Sequence, residues 1–220
     1  MERVKYILEC MLNLIYFRSD ICLCCDKKIY NEDYLCSNCR RNIVICKKSF
    51  KIKSQYSINC YSCAYYSSTV KKLIIKMKYK KDFKSIEFLS DFIVEKIINC
   101  GIKADIITFV PSSKSRKKER GYNQSDALCY YVANKLKLEK KELIFKKEGA
   151  KDQIGLDDIE RWDNVKDIFY FNNKYNIKGK DIILIDDVLT TGATVYNCYK
   201  VLKENGAGEI NVFTIARNIG

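Results

Sequence analysis

Two adjacent carboxylates, Asp186 and Asp187, stand between an apolar run, Ile182 to Ile185, and a hydroxyl-rich turn, Thr190-Thr191-Gly192-Ala193-Thr194. Hydroxyls and tightly curved backbone N–H groups suit a phosphate, and the helix expected from about Val195 aims the positive end of its dipole at the turn. Carboxylates repel phosphate, so the acid pair suits polyol hydroxyls or a bound cation. The whole stretch, with Val188 and Leu189 between its two parts, reads as a sugar-phosphate site. Further back, Ser112, Ser113, Lys114, Arg116 and Arg120 supply hydroxyls and cations of the kind a pyrophosphate needs.

A different chemistry lies near the N-terminus. Cys22 and Cys25 form one Cys-x-x-Cys pair and Cys36 and Cys39 another, spacings that let four thiolates close on one tetrahedral zinc. With no position open to water, the zinc would be structural. Disulfides are the alternative, and Cys-x-x-Cys pairs beside a nucleotide-type domain favour metal in a reducing, cytoplasmic setting. Cys24 is read as a bystander. Cys46, Cys60 and Cys63 offer three more thiols, for which core packing is favoured over a second metal.

Charge is unevenly spread. The chain has 220 residues and a formal net charge of +13, but residues 151–220 hold 9 Lys and Arg against 11 Asp and Glu, which leaves +15 on residues 1–150. Such a field attracts polyanions. Between Lys47 and Lys84 the basic residues alternate with Tyr56, Tyr61, Tyr65, Tyr66 and Tyr79. Lys71, Lys72, Lys76 and Lys78 lie on one helix there, and basic grooves with stacking aromatics hold single-stranded nucleic acid without reading its sequence. A solvated lysine face and half-buried tyrosines, from a chain rich in lysine throughout, is the competing reading.

The elements that must position these groups follow from periodicity. Ile182–Ile185 is an uninterrupted aliphatic run, as in a parallel strand buried on both faces, with the acids at its C-terminal end where open α/β sheets bind ligands. Asp105–Val110 is the domain's first strand, Leu143–Phe145 the next, Ile168–Phe171 a short one and Ile210–Ala216 the last. Val70, Leu73, Ile74 and Met77 recur at helical spacing behind an N-cap at Ser68 or Thr69. Helices are also expected over 84–100, after an opening Arg120-Gly121-Tyr122-Asn123-Gln124 with Ala127, Leu128, Tyr131, Val132 and Leu136, and from about Val195 to about Glu204. The polar loop from Lys146 to Val165, carrying Gln153, Leu156, Arg161 and Asn164, is long enough to be a functional lid. Tyr6 to Phe17 is read as an amphipathic helix, too short and too interrupted to span a membrane. The expected organisation is a helix and zinc module over 1–64 and an α/β domain over 65–220, with a parallel sheet flanked by helices.

The run of four hydrophobics, two acids, two hydrophobics and Thr-Thr-Gly-x-Thr resembles the phosphoribosyl pyrophosphate (PRPP) loop of type I phosphoribosyltransferases. Together with the two cysteine knuckles, Tyr65-Tyr66-Ser67, Lys71 to Tyr79, Pro111 with Arg116, Arg120-Gly121-Tyr122-Asn123-Gln124, Gln153 with Leu156, and Arg161 with Asn164, it is similar to the ComF family of competence-associated proteins. That resemblance covers about Cys22 to Arg217. It implies a zinc-ribbon-like module on a phosphoribosyltransferase-like domain, and binding of PRPP with Mg²⁺. It also implies a role in DNA uptake, beside other components of the uptake machinery. Asp186, Asp187 and Arg161 are the candidate catalytic residues should ribosyl transfer to a nitrogen nucleophile occur. Thr190 stands where hypoxanthine- and guanine-specific enzymes place an Asp, and a hydroxyl accepts no proton near neutral pH, which argues against that chemistry.

Overall fold

The computed structural model describes residues 21–30, 34–53, 55–147 and 168–218. The expected helix at Tyr6–Phe17 lies outside these residues, as do Gln153, Leu156, Arg161 and Asn164.

Two aliphatic runs form the centre of the fold. β7 (Ile182–Leu189) and β8 (Ile210–Arg217) pair in parallel from Ile182↔Ile210 to Leu189↔Arg217. Their side chains alternate between two hydrophobic clusters: Ile183, Ile185, Phe213 and Ile215 join one, and Ile182, Leu184, Ile210 and Val212 the other. A strand buried on both faces needs helices on both, and it has them. On the first face lie α2 (Ser68–Tyr79), α3 (Phe83–Asn99) and α5 (Gln124–Leu136); on the second lies α6 (Ala193–Glu204). The short helices α1 (Ser37–Arg41) and α4 (Lys114–Arg120) complete the described set.

The sheet has six strands in the order β1 (Phe50–Lys53), β2 (Ser57–Tyr65), β8, β7, β3 (Ile106–Phe109) and β4 (Glu139–Lys140). Only the edge strand β1 runs antiparallel. The architecture is therefore the expected α/β one, with a mostly parallel sheet between helices. β5 (Ile144–Lys146), expected as the next strand of that sheet, pairs instead with β6 (Phe169–Phe171) in a separate two-stranded sheet.

The β1–β2 hairpin has no counterpart in the sequence reading. β2 lies against β8, where Ser62 and Thr214 face each other and share a buried hydroxyl hydrogen bond of 2.7 Å. The expected domain boundary at 64/65 falls at the last residue of this strand. The four-cysteine segment likewise packs on the first-face cluster through Cys22, Leu23, Ile29 and Leu35, with Tyr34 against the Phe88 ring at 5.5 Å. Cys46, Cys60 and Cys63 are buried, in keeping with core packing. At α2 the cap position is held by Ser67, one residue before the expected Ser68 or Thr69, and its hydroxyl donates to the Asn42 carbonyl rather than capping the helix.

Candidate functional site

β7 carries the acid pair further into the sheet than expected. The strand does not stop at Ile185: pairing with β8 continues at Asp186↔Thr214 and, past Asp187, at Val188 and Leu189, so the acid pair lies within the strand and not in a loop after it. Strand β3, its neighbour, ends alongside, with the Val110 N–H donating to the Ile185 carbonyl at 2.9 Å. The segment Pro111–Ser113 therefore leaves the sheet beside the acids.

The two carboxylates sit in different surroundings. Oδ1 of Asp186 accepts from Ser125 Oγ at 2.9 Å and from the Asp187 N–H at 2.8 Å. Burial, and then the charge of Asp187, push the Asp186 carboxyl up to about 7. Asp187 accepts the Val188 N–H on Oδ1 at 2.6 Å and the Lys78 ammonium on Oδ2 at 2.6 Å.

Past Leu189 the chain turns through Thr190 and Thr191 into α6. Gly192 occupies the cap position with φ of 84°, in the left-handed region, and a Cβ added there would lie 2.6 Å from Ile52 Cδ1 of β1. The positive φ calls for glycine, and an added Cβ would also have to push the tip of Ile52 aside. Thr191 Oγ1 accepts from the Ala193 N–H at 3.4 Å, while Thr190 and Thr194 are exposed. The residues expected to cradle a phosphate thus form a tight turn at the N-terminus of a twelve-residue helix.

The run Arg120–Ser125 holds the surrounding elements together. Arg120 lies over the Tyr79 ring, 5.3 Å from its centroid, and donates from Nη1 to Gln124 Oε1 at 3.0 Å. The Tyr122 hydroxyl donates to the Met77 carbonyl of α2. Asn123 donates to the Val110 carbonyl at 3.0 Å and accepts the Ser125 N–H as the cap of α5. Ser125 then reaches Asp186. Of the expected pyrophosphate-side residues, Ser113 caps α4 by accepting the Arg116 N–H at 3.3 Å, and Lys114 is exposed. Ser112 Oγ and Arg120 Nε are buried with no hydrogen-bond partner among the described residues. Buried polar atoms left without a protein partner are of the kind a ligand or water satisfies.

The four lysines proposed for nucleic acid fall into two groups. Lys71 and Lys72 are exposed. Lys76 pairs with Asp26 at 2.8 Å and Lys78 with Asp187, so half of the expected cationic face is engaged within the protein. Ser125 and Ile52 went unremarked as site residues in the sequence, and Lys78 was expected as a nucleic-acid contact, not as a partner of Asp187. Only Ser125 carried a local signal, as a small hydroxyl in the first turn of an otherwise apolar helix face. A cleft of about 460 Å³ lies apart from the acids, lined by Lys81, Phe83, Tyr122 and Tyr130 among others.

The Sγ atoms of Cys22, Cys25, Cys36 and Cys39 all lie within 4.8 Å of one another, with Cys25 and Cys36 3.7 Å apart. Four sulfurs around a zinc at about 2.3 Å would be spaced by about 3.8 Å, so the set fits the ion. Burial raises the Cys22 thiol, but hydrogen bonds from the backbone of Cys36, Cys25 and Cys24 outweigh it and bring the thiol down to about 7. Burial and the neighbouring thiols push Cys39 the other way. Asp26, with φ of 60°, makes the sharp turn that brings its N–H back to the Cys22 carbonyl at 3.0 Å.

No family model matches the chain. It is 24% identical over 220 residues to the DNA utilization protein YhgH of Escherichia coli, covering 96% of each chain. It is 24% identical over 230 residues to Competence protein F of Haemophilus influenzae, again covering 96% of each. Over nearly its whole length the chain is thus similar to proteins named for competence and DNA utilization. To Competence protein ComFC of Streptococcus pneumoniae it is 25% identical over 236 residues, covering 98% of this chain and 97% of that one. Among solved structures it is similar to an adenine phosphoribosyltransferase from Thermoanaerobacter pseudethanolicus, with 12% identity, a TM-score of 0.44 and coverage of 82% and 98%. It is also similar to an orotate phosphoribosyltransferase from Aeropyrum pernix, with 15% identity, a TM-score of 0.41 and coverage of 81% and 77%. Among the described residues no helix is long and apolar enough to cross a membrane.

Proposed function

We propose that this chain binds a phosphoribosyl ligand, PRPP or a close analogue, at the Asp186–Thr194 stretch, binds single-stranded DNA with its basic half, and serves DNA uptake in the cytoplasm. The observation that supports the first part is the placement of the acid pair at the C-terminal end of β7, directly before the Gly192 turn that starts α6, with Ser125 of α5 on Asp186. In this reading Thr190, Thr191, Gly192 and Thr194 hold the 5′-phosphate, the acids hold ribose hydroxyls, and Ser112, Ser113, Lys114, Arg116 and Arg120 face the pyrophosphate. Mg²⁺ would be held on the acid-pair side, where it would neutralise charge on the pyrophosphate. The DNA part is supported by the +15 net charge on residues 1–150, by the exposed Lys71 and Lys72, and by the names of the ComF-type relatives.

Calorimetric titration with PRPP and Mg²⁺ tests the ligand. Asp187→Ala with Thr191→Ala should abolish binding while the circular dichroism of the folded protein is kept, and undiminished affinity in that variant refutes the assignment.

One observation favours a second reading, ribosyl transfer to an unidentified nitrogen nucleophile. With the Asp186 carboxyl near 7 and no histidine in the chain, Asp186 is placed to exchange a proton near neutral pH. Pyrophosphate released from PRPP in the presence of a panel of bases and amines would support it. Its absence across the panel leaves the binding reading in place.

A further inference from the structure

Three consecutive residues at the end of α2 reach three separate segments. Lys76 pairs with Asp26 in the first cysteine knuckle, the Met77 carbonyl accepts from Tyr122, and Lys78 lies on Asp187. The Tyr122 contact ties the last turn of the helix to the segment before α5, and Lys78 projects from that same turn. Lys78 and Asp187 side chains are only 21% and 15% exposed, which places this ion pair inside the site and not on open surface.

The oxygens of the acid pair are held unequally. Asp186 Oδ1 and Asp187 Oδ1 accept from backbone or hydroxyl donors that belong to rigid elements. Asp187 Oδ2 instead accepts from the tip of a four-carbon flexible chain. Of these three it is the one whose partner can leave without disturbing the sheet.

We propose that Lys78 is a built-in counter-ion of the acid pair: its ammonium occupies the side of Asp187 that a divalent cation takes, and an incoming cation displaces it. The inference rests on the reading of Asp186 and Asp187 as the cation and ribose side of the ligand site. Without a metal, Lys78 neutralises the Asp187 carboxylate inside the site. With a metal, the ammonium is expelled by like-charge repulsion, because a divalent cation and a lysine cannot share Oδ2 at contact distance.

The test uses the zinc-loaded full-length protein and Mn²⁺ alone, with no sugar phosphate present, so it does not depend on whether PRPP is the ligand. Free Mn²⁺ is followed by electron paramagnetic resonance in wild type, Lys78→Met, and Lys78→Met combined with Asp187→Asn. Removing a unit charge at contact distance should tighten Mn²⁺ binding by about tenfold or more, and the double variant should lose that gain. Equal Mn²⁺ affinity in wild type and Lys78→Met overturns the proposal, while the sugar-phosphate reading then stands or falls on its own calorimetry. Should Lys78→Met fail to fold, pulse acetylation of the wild type read by mass spectrometry gives the answer. Saturating Mn²⁺ should raise the labelling of Lys78 and leave Lys76 unchanged, and an unaltered Lys78 rate overturns the proposal equally.

Discussion

Asp186→Asn is the sharpest probe of the site's electrostatics. The Asp186 carboxyl is pushed up to about 7 by burial and by Asp187, whereas in the unfolded chain an Asp titrates near 3.9. Between about pH 4 and pH 7 the native protein therefore keeps a proton that the unfolded chain releases. The stability this proton confers is full below about pH 4 and is lost as pH rises through about 7, by up to about 1.4 kcal/mol per unit and about 4 kcal/mol in all. Local relaxation reduces this to an expected loss of roughly 2 kcal/mol. Asn carries no such proton, yet its Oδ1 still accepts from Ser125 Oγ and the Asp187 N–H. Urea unfolding of wild type and Asp186→Asn in metal-free buffer at pH 5, 6, 7 and 8 should thus show the variant gaining on wild type by roughly 2 kcal/mol across the range, with the m-value unchanged. Parallel stability curves at all four values would falsify the claim that Asp186 is held protonated by its surroundings.

Three other outcomes are expected. Elemental analysis should find one zinc per chain, and Cys39→Ser or a strong chelator should remove it and lower the melting temperature of the whole protein, since Cys39 and Cys22 belong to the main hydrophobic cluster; zinc-free protein with its thiols oxidised in pairs is the contrary result. Gly192→Ala should cost about 1–3 kcal/mol in chemical denaturation from its positive φ and the 2.6 Å approach to Ile52, and trimming Ile52 to Ala in the same chain should recover only the steric part. Replacing Lys71 and Lys72 by Glu should weaken single-stranded DNA binding and flatten its salt dependence, by about 0.7 in log-log slope for each lost phosphate contact, while Lys174, Lys178 and Lys180 changed likewise should not; equal effects from the two sets would reduce the patch to solvated surface.

The sheet's centre and the acid loop were legible because both are local signals. Ile182–Ile185 announces a doubly buried strand, and the residues that turn the chain into α6 follow without a break. The edge strands were not. β2 reads Ser-Ile-Asn-Cys-Tyr-Ser-Cys-Ala-Tyr, whose alternation is diluted by small polar residues that the fold uses in pairs, Ser62 against Thr214 being the plain case. A hydroxyl that finds its partner on a neighbouring strand looks, in sequence, like a residue outside the core. The site was half legible for the same reason: residue types marked Asp186 and the Thr-Gly-Ala-Thr turn, but Lys78 and Ile52 reach them only through tertiary placement. Lys76 and Lys78 looked like surface charge because lysine spacing on a helix says nothing about carboxylates brought in from elsewhere in the chain.

The hairpin β1–β2 and the cysteine knuckles have a consequence for anyone cutting the chain. A fragment starting at residue 65 would resemble the α/β half that the sequence suggests, yet it would bare the full length of β8, a central strand with seven buried residues and no charge before its last position. It would also strip the first-face cluster of Cys22, Leu23, Ile29 and Leu35. An exposed, flat, apolar edge of that kind pairs with other copies of itself. Such a fragment is expected to precipitate or to form strand-paired oligomers, so the four-cysteine segment and hairpin act as the sheet's own guard against self-association.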